Sequence, residues 1–141
     1  MNGIKTENQV ERDFYGFVCN STLGKAVSGK VCRSGMRPAN ADSEDIVVKF
    51  LAGLDEQIQS GVVIINVYVP DILDGGRKVK DFGRIGTLES LIAEFVQDVN
   101  FSPQDYDGYR IETDGTPSSM QVEGIEQHVI YARIKFNRLA Q

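Results

Sequence analysis

Apolar and polar residues alternate along the middle of the chain, which predicts two long β-strands. We expect the first strand at Glu44–Ala52 and the second at Ile58–Val69, where Pro70 ends the pairing because proline has no amide hydrogen to donate. The connecting stretch begins at Gly53 and ends at Gly61, which is typical of a tight or bulged connection between antiparallel partners. The pattern therefore predicts a long β-hairpin.

Both faces of this hairpin are apolar. The second strand carries on one face Val63, Ile65, Val67 and Val69. Its opposite face carries Ile58, Val62, Ile64 and Tyr68, with Ser60 and Asn66 among them. Helices of the same chain can cover one face, but a chain of 141 residues has little left to cover the other. We therefore expect the second face to be covered either by loops of the same chain or by another copy of the protein, and physical arguments alone favour neither.

Two amphipathic helices flank the hairpin. The first begins near Thr6, which with Gln9 three residues later has the form of a capping box. The second is predicted to begin at Thr87, with Glu89 in its first turn, where the helix dipole favours an acid. The segment Asp71–Gly86 before it carries both signs of charge and is predicted to be a mobile loop.

The remaining segments complete an α+β domain. A short strand is expected at Lys30–Arg33, and two strands close the chain at Tyr109–Thr113 and Gln121–Phe136. The order α-β-β-β-α-β-β over residues 1–141 predicts a single domain with a mainly antiparallel sheet and two helices packed on one face of it.

Composition narrows the function classes. Hydrophobic residues at 41% and charged residues at 25% exclude a wholly disordered chain. The net charge of -5 disfavours general nucleic-acid binding, which needs a basic face. The first residues lack an apolar signal core and no apolar run is long enough for a bilayer, so we expect folding in a cytoplasm.

The two cysteines, Cys19 and Cys32, lack metal-binding spacing. Free thiols are favoured, and a disulfide between them stays open as an alternative.

Candidate chemistry is sparse. His128 is the one histidine and lies near no serine or cysteine motif that would build a nucleophilic triad. Asp105 and Asp107 weakly resemble a calcium loop but lack its other ligands. The glycines and basic residues of Asp74–Lys78 lack phosphate-loop spacing. The sequence therefore predicts no catalytic residue, no metal site and no cofactor. The enzyme alternative is, for instance, a hydrolase that uses the Asp105/Asp107 pair.

The stretch from Ser28 to Ile72 reads "SGKVCRSGMRPANADSEDIVVKFLAG" and then "QIQSGVVIINVYVPDI". It contains the pattern "RP-N---ED-VV" followed by "N-YVPD", which falls on Arg37, Pro38, Asn40, Glu44, Asp45, Val47, Val48, Asn66, Tyr68, Val69, Pro70 and Asp71. These residues resemble small proteins encoded in phages and prophages of Bacteroidetes hosts, which look like tail-terminator or head-tail joining (neck) proteins. Cys32 stands where that family would have an aromatic residue.

The resemblance implies a structural virion protein that forms a ring, usually a hexamer, at the head-proximal end of the tail. Such a ring would end tail-tube polymerisation and join the tube to the head. Its expected partners are further copies of itself, the tail tube protein and the head connector protein, with no membrane and no specific nucleic acid. It would be found in the cytoplasm of the bacterial host during assembly and then in the virion. Two alternatives stay open, namely a neck or head-completion protein and a small protein-binding module that forms no ring.

Two groups of residues are candidates for the interface. One lies on the second face of the hairpin, and its members are Ile64, Asn66 and Tyr68. The other lies in the Asp71–Gly86 segment, and its members are Arg77, Lys78, Lys80 and Phe82. The alternative for the first group is plain sheet core, and for the second a solvated loop tip.

Overall fold

The computed structural model describes residues 3–54 and 58–139. The helices are α1 (Glu7–Cys19), α2 (Thr22–Ala26) and α3 (Phe82–Phe101), and a 3-10 turn follows at Pro103–Tyr106. The strands are β1 (Val31–Arg33), β2 (Asp45–Leu54), β3 (Ile58–Pro70), β4 (Ile72–Asp74), β5 (Arg77–Val79), β6 (Arg110–Thr113), β7 (Ser118–Gln121) and β8 (Gln127–Leu139). None of the helices in this part of the chain has the length and apolarity needed to cross a bilayer.

Six of the strands form one sheet. Its order is β1-β2-β3-β8-β6, and β7 pairs with β8 beside β6. Strand β1 runs parallel to β2, whereas the other pairs are antiparallel. Strands β4 and β5 form a separate two-stranded hairpin. The predicted α+β class with a mainly antiparallel sheet is confirmed.

The predicted long hairpin is β2 with β3. Its register places Ile46 opposite Val67 and Val48 opposite Ile65, and a bulge follows Phe50. Gly61 is required where the two strands cross closely, because a Cβ atom there would lie 2.3 Å from the carbonyl oxygen of Ala52. The strands therefore form as the alternation predicts, and β2 extends slightly further than expected.

The three helices pack on one face of the sheet, which we call the inner face. Their buried side chains are Val10, Phe14, Val18, Leu23, Ile85, Leu88, Ile92, Phe95 and Val99, and all belong to one hydrophobic cluster. Three strands of the sheet, β2, β3 and β8, contribute to the same cluster. Their side chains in it are Ile46, Val48, Val63, Ile65, Val67, Val69, Ile130, Ala132, Ile134 and Phe136. Helix α2, which starts after the N-cap Ser21, was not predicted, because five residues are too few to show a helical period.

The predicted loop at Asp71–Gly86 is wrong. The segment forms the β4–β5 hairpin, which turns through Gly75 and Gly76 at φ +60° and +83°, and then the first turn of α3. Positive φ at both central residues is the geometry of a tight hairpin turn, and glycine adopts it without strain. The glycines that suggested a flexible loop are therefore the residues that build this turn.

The predicted start of α3 at Thr87 is also wrong. Asp81 is the N-cap and its side chain accepts the N–H of Arg84 at 3.1 Å. Thr87 lies inside the helix and donates its hydroxyl to the carbonyl of Gly83 at 3.2 Å. Gly83 and Gly86 lower the helix propensity of this segment, so the sequence does not predict a helical turn there. The turn forms because the Asp81 cap stabilises it.

The last predicted strand, Gln121–Phe136, corresponds to β8 but starts too early, because Gln121 belongs to β7. Strand β7 ends at Gln121 and β8 begins at Gln127, and the two pair with each other. Gly124, at φ +83°, allows the chain to turn between them. Strand β8 then pairs along its whole length with β3, so it lies at the centre of the sheet.

Candidate functional site

The face of the sheet opposite the helices, which we call the outer face, is the main candidate for an interface. Its residues on β2, β3 and β8 are Val47, Lys49, Val62, Ile64, Asn66, Tyr68, Val129, Tyr131, Arg133 and Lys135. None of these side chains belongs to the hydrophobic cluster of the inner face. Because the buried side chains of all three described helices lie in that cluster, no helix among the described residues covers the outer face.

One half of the outer face is apolar. Tyr68 pairs with Val129, which pairs in turn with Met120 of β7, and Tyr131 lies two residues further along β8. Tyr68, Val129 and Tyr131 are half-buried, and Met120 is 50% exposed. Half-buried aromatic and β-branched side chains on a sheet face keep apolar area that a partner surface can still remove from water.

The other half of the outer face is basic. Ile64 lies at its centre between Lys49 on β2 and Arg133 on β8. Ile64 is only 4% exposed, although no helix covers it. Lysine and arginine bury their aliphatic stems along apolar neighbours and keep their charges in water, so the two flanking side chains account for this burial.

Four cations, Lys49, Arg133, Lys135 and Arg110, lie on this side of the sheet. Two acids accompany them: Asp114 Oδ2 lies 3.2 Å from Arg133 Nε, and Glu112 Oε1 lies 3.9 Å from Lys135 Nζ. Hydrogen bonds with Tyr131 and Asp114 raise the pKa of Arg133 above its ordinary value. The outer face is therefore basic in a chain whose net charge is -5.

Asn66 introduces a polar atom into the outer face. It lies between Val47 on β2 and Tyr131 on β8. Its Oδ1 atom is buried and accepts no hydrogen bond from the described residues. A buried acceptor without a donor destabilises a fold by about 1–3 kcal/mol, so Asn66 is a residue that packing alone would not select.

The motif residues around Arg37 form a polar network at the end of the outer face. Arg37 Nε donates to Asp45 Oδ2 at 2.9 Å, and Nη2 donates to Gln127 Oε1 at 2.9 Å. The guanidinium carbon lies 4.0 Å from the centroid of the Tyr68 ring. Gln127 Nε2 donates to the carbonyl of Ala41 at 2.6 Å. Arg37 therefore fastens the loop before β2 to β3 and β8.

Asp45 is the buried acid of this network, with 1% of its surface exposed. Burial alone would raise its pKa, but hydrogen bonds from the backbone N–H of Lys30 and from the side chains of Arg37 and Ser43 together hold the pKa below its ordinary value. The carboxylate is therefore charged at neutral pH and depends on its donors.

Glu44 makes a second anchor beside Asp45. Arg84 donates to it through Nε at 2.6 Å and through Nη2 at 2.9 Å. The Arg84 side chain and, more weakly, the N–H of Ser28 lower the pKa of Glu44. This pair joins the start of β2 to the first turn of α3.

The other residues of the sequence motif lie close by. Asn40, Pro70 and Asp71 line an open cleft of about 450 Å³ together with Lys78 and Gln127. Pro38 accepts the N–H of Ala41 through its carbonyl at 3.1 Å. Asp71 is buried, and its Oδ1 lies 2.7 Å from His128 Nδ1. The motif therefore stabilises the connection between the loop, the hairpin and β8.

The hairpin candidates lie apart from the sheet face. Arg77 and Lys78 are exposed on β5, and Lys80 Nζ lies 4.9 Å from the ring centroid of Phe82. Phe82 is 74% exposed and Leu73 is 68% exposed. The β4–β5 hairpin and the start of α3 therefore present apolar side chains next to basic ones, and the structure does not bring them together with Ile64 and Asn66.

Sequence reasoning missed three outer-face residues, Val129, Tyr131 and Arg133. The alternation along β8 was visible in the sequence, but the partner of that strand was not. Once β8 pairs with β3, its outward residues lie directly beside Ile64, Asn66 and Tyr68.

The residues of the enzyme alternative are in structural contacts. Asp107 forms ion pairs with Lys5 and with Arg138, and Lys5 also contacts Asp13 at 2.6 Å. Asp105 lies exposed in the 3-10 turn. Within residues 3–54 and 58–139 no three His, Cys, Asp or Glu side chains are placed to hold a metal ion.

Cys19 and Cys32 are free thiols. Cys32 is buried, and this burial raises the pKa of its thiol. A thiol with a raised pKa is a poor nucleophile at neutral pH, so Cys32 acts as a small apolar side chain.

Comparison of the chain with models of known protein families gave no match, and comparison with curated proteins gave none either.

Proposed function

We propose that this chain is a structural phage protein that assembles with further copies of itself into a ring. The ring would lie at the head-proximal end of the tail, end the tail tube and join it to the head. The single observation that carries the proposal is the outer face, where Val129 and Tyr131 remain half-buried beside Tyr68 without a covering helix. The resemblance of the Arg37–Asp71 stretch to tail-terminator and neck proteins supports the same proposal.

The outer face suits contact between copies because it is partly apolar and long. Strands β3 and β8 pair over 13 positions, which at about 3.3 Å per residue gives a surface about 40 Å long. A stable interface buries about 800 Å² on each partner, and a surface of this length can supply that area. Interfaces that join two different surfaces of a subunit close into rings when the rotation between copies permits.

The β4–β5 hairpin has a separate role in this proposal, which is contact with the tail tube. Leu73 and Phe82 are exposed apolar side chains, and Arg77, Lys78 and Lys80 lie next to them. Aromatic and arginine side chains are enriched where interfaces have their strongest contacts. The hairpin stands outside the six-stranded sheet, so the tube protein can bind it while the outer face binds another copy.

The same hairpin favours the second candidate function, a small protein-binding module that forms no ring. In that case Leu73 and Phe82 would bind a partner directly and the outer face would stay in water. The two functions differ in oligomeric state at high protein concentration.

Sedimentation velocity of the wild-type protein and of Val129→Lys tests the proposal. Val129 is half-buried on the outer face, so a lysine there adds charge to the surface while its stem can lie along the sheet. We expect the wild type to form an oligomer that negative-stain images show as a ring, and the variant to sediment as a monomer with an unchanged circular dichroism spectrum. Lys25→Glu, an exposed change on α2, is the control and should assemble as the wild type does. A variant that assembles as well as the wild type would overturn the role of the outer face.

A further inference from the structure

The exposed side of α3 is acidic. From Ile85 to its end at Phe101 the helix contains no lysine or arginine, and its acids there are Glu89, Glu94 and Asp98. Glu94 and Asp98 are exposed and lie one turn apart on the helix. The one cation of the helix, Arg84, is already bound to Glu44. This surface therefore has negative charge that no basic side chain of its own helix neutralises.

Helix α3 and the outer face lie on opposite sides of the molecule. The helix buries Leu88, Ile92 and Phe95 against the inner face of the sheet, so its exposed side points away from the sheet. Lys49, Arg133 and Lys135 lie on the outer face and point the other way. A subunit with unlike surfaces on opposite sides can bind the next copy head to tail, and such contacts close into a ring when the rotation between successive copies permits.

The two surfaces are complementary in charge. The outer face has four cations and two acids, whereas the exposed side of α3 has acids and no cation. Opposite charges that face each other across an interface select the register and exclude wrong partners. Two outer faces brought together would place like charges against each other, so self-pairing of that face is disfavoured.

The shape of the helix surface allows close approach. Small side chains, Gly86, Ser90 and Ala93, lie on the exposed side of α3. A recess of about 380 Å³ lies beside them, between α3 and the β6–β7 connection, and Ala93 and Pro117 line it. The outer face of another copy can therefore approach this helix, and the recess can take a long side chain from it.

We propose that the outer face of one copy packs against the exposed side of α3 of the next copy, with Lys49 and Lys135 opposite Glu94 and Asp98. This inference rests on the proposed function, since it names the two surfaces that the ring would join.

Charge reversal tests the pairing. The sheet variant is Lys49→Glu with Lys135→Glu, and the helix variant is Glu94→Lys with Asp98→Lys. All four residues are exposed, so circular dichroism should show both variants folded. Each variant alone should assemble about 100-fold more weakly than the wild type, because like charges then face each other. The control, Arg12→Glu with Lys25→Glu, changes the net charge as the sheet variant does at exposed positions of α1 and α2 and should assemble normally.

Mixing the two variants gives the sharpest result. In the mixture the acidic outer face of one variant meets the basic helix of the other, and the two kinds of copy can alternate around a ring. We expect assembly to return to within about tenfold of the wild type. If the helix variant assembles normally, or if the mixture stays monomeric, the pairing with α3 is wrong while ring formation stands. If the wild type itself stays monomeric, both the proposed function and this inference are wrong.

Discussion

Arg37 lies against the ring of Tyr68, with its guanidinium carbon 4.0 Å from the ring centroid. Tyr68 belongs to the outer face. The side chain of Arg37, which lies in the loop before β2, therefore covers one end of that face. The same guanidinium neutralises the buried Asp45. The residues around Arg37 therefore stabilise the fold at the border of the candidate interface.

Replacing Arg37 by alanine should lower the free energy of unfolding by about 3 kcal/mol, because the change leaves the Asp45 carboxylate buried without its cation. Urea denaturation at pH 7 measures the effect. Arg33→Ala is the matched control: Arg33 pairs with Glu11 in a more exposed position, and such a pair is worth at most about 1 kcal/mol. Equal losses in the two variants would contradict the role given to Arg37.

The Glu44–Arg84 pair predicts a pH dependence with a definite sign. Because Arg84 lowers the pKa of Glu44 in the folded protein, the pair stabilises the fold above the unfolded pKa of about 4.3. That stability is lost as the pH falls from about 5 through the lower folded value. The difference in unfolding free energy between wild type and Arg84→Met should therefore shrink between pH 7 and pH 3. A difference that stays constant over this range would show that Arg84 acts through packing alone.

Asn66→Val should raise the free energy of unfolding by about 1 kcal/mol. The change removes a buried oxygen to which no group of the described residues donates a hydrogen bond, and it places a β-branched residue in a central strand. Thermal and urea unfolding both report this gain. Val62→Asn, a change in the opposite direction on the same face of β3, should destabilise the protein. A loss of stability in Asn66→Val would mean that the amide makes contacts that the described residues do not account for.

The β4–β5 hairpin should be separable from the fold and from the ring. Leu73→Ser with Phe82→Ser changes two exposed side chains, so we expect the free energy of unfolding to stay within about 0.5 kcal/mol of the wild type. Ring formation should also be unchanged. Co-sedimentation with purified tail tubes measures the proposed tube contact, and on that proposal the variant should no longer bind them. Unimpaired binding would remove the hairpin from the tube contact.

The sequence predicts the long hairpin well because period-two alternation over β2 and β3 depends only on neighbouring residues. It fails at Asp71–Gly86, where the same glycines are compatible with a flexible loop and with a two-residue turn. It also fails to place Arg37, whose partner Gln127 is 90 residues away along the chain. Such contacts follow from the pairing of β8 with β3, which no local pattern reveals.

The most direct test of the central claim is sedimentation velocity of the wild-type protein at concentrations up to about 1 mM. At that concentration even an interface with a binding free energy of only about 4 kcal/mol would form. If the outer face is buried between copies, a species several times heavier than the 15.6 kDa chain should appear as the concentration rises, and Val129→Lys should abolish it. A single 15.6 kDa species at every concentration, in the wild type as in the variant, would contradict the account.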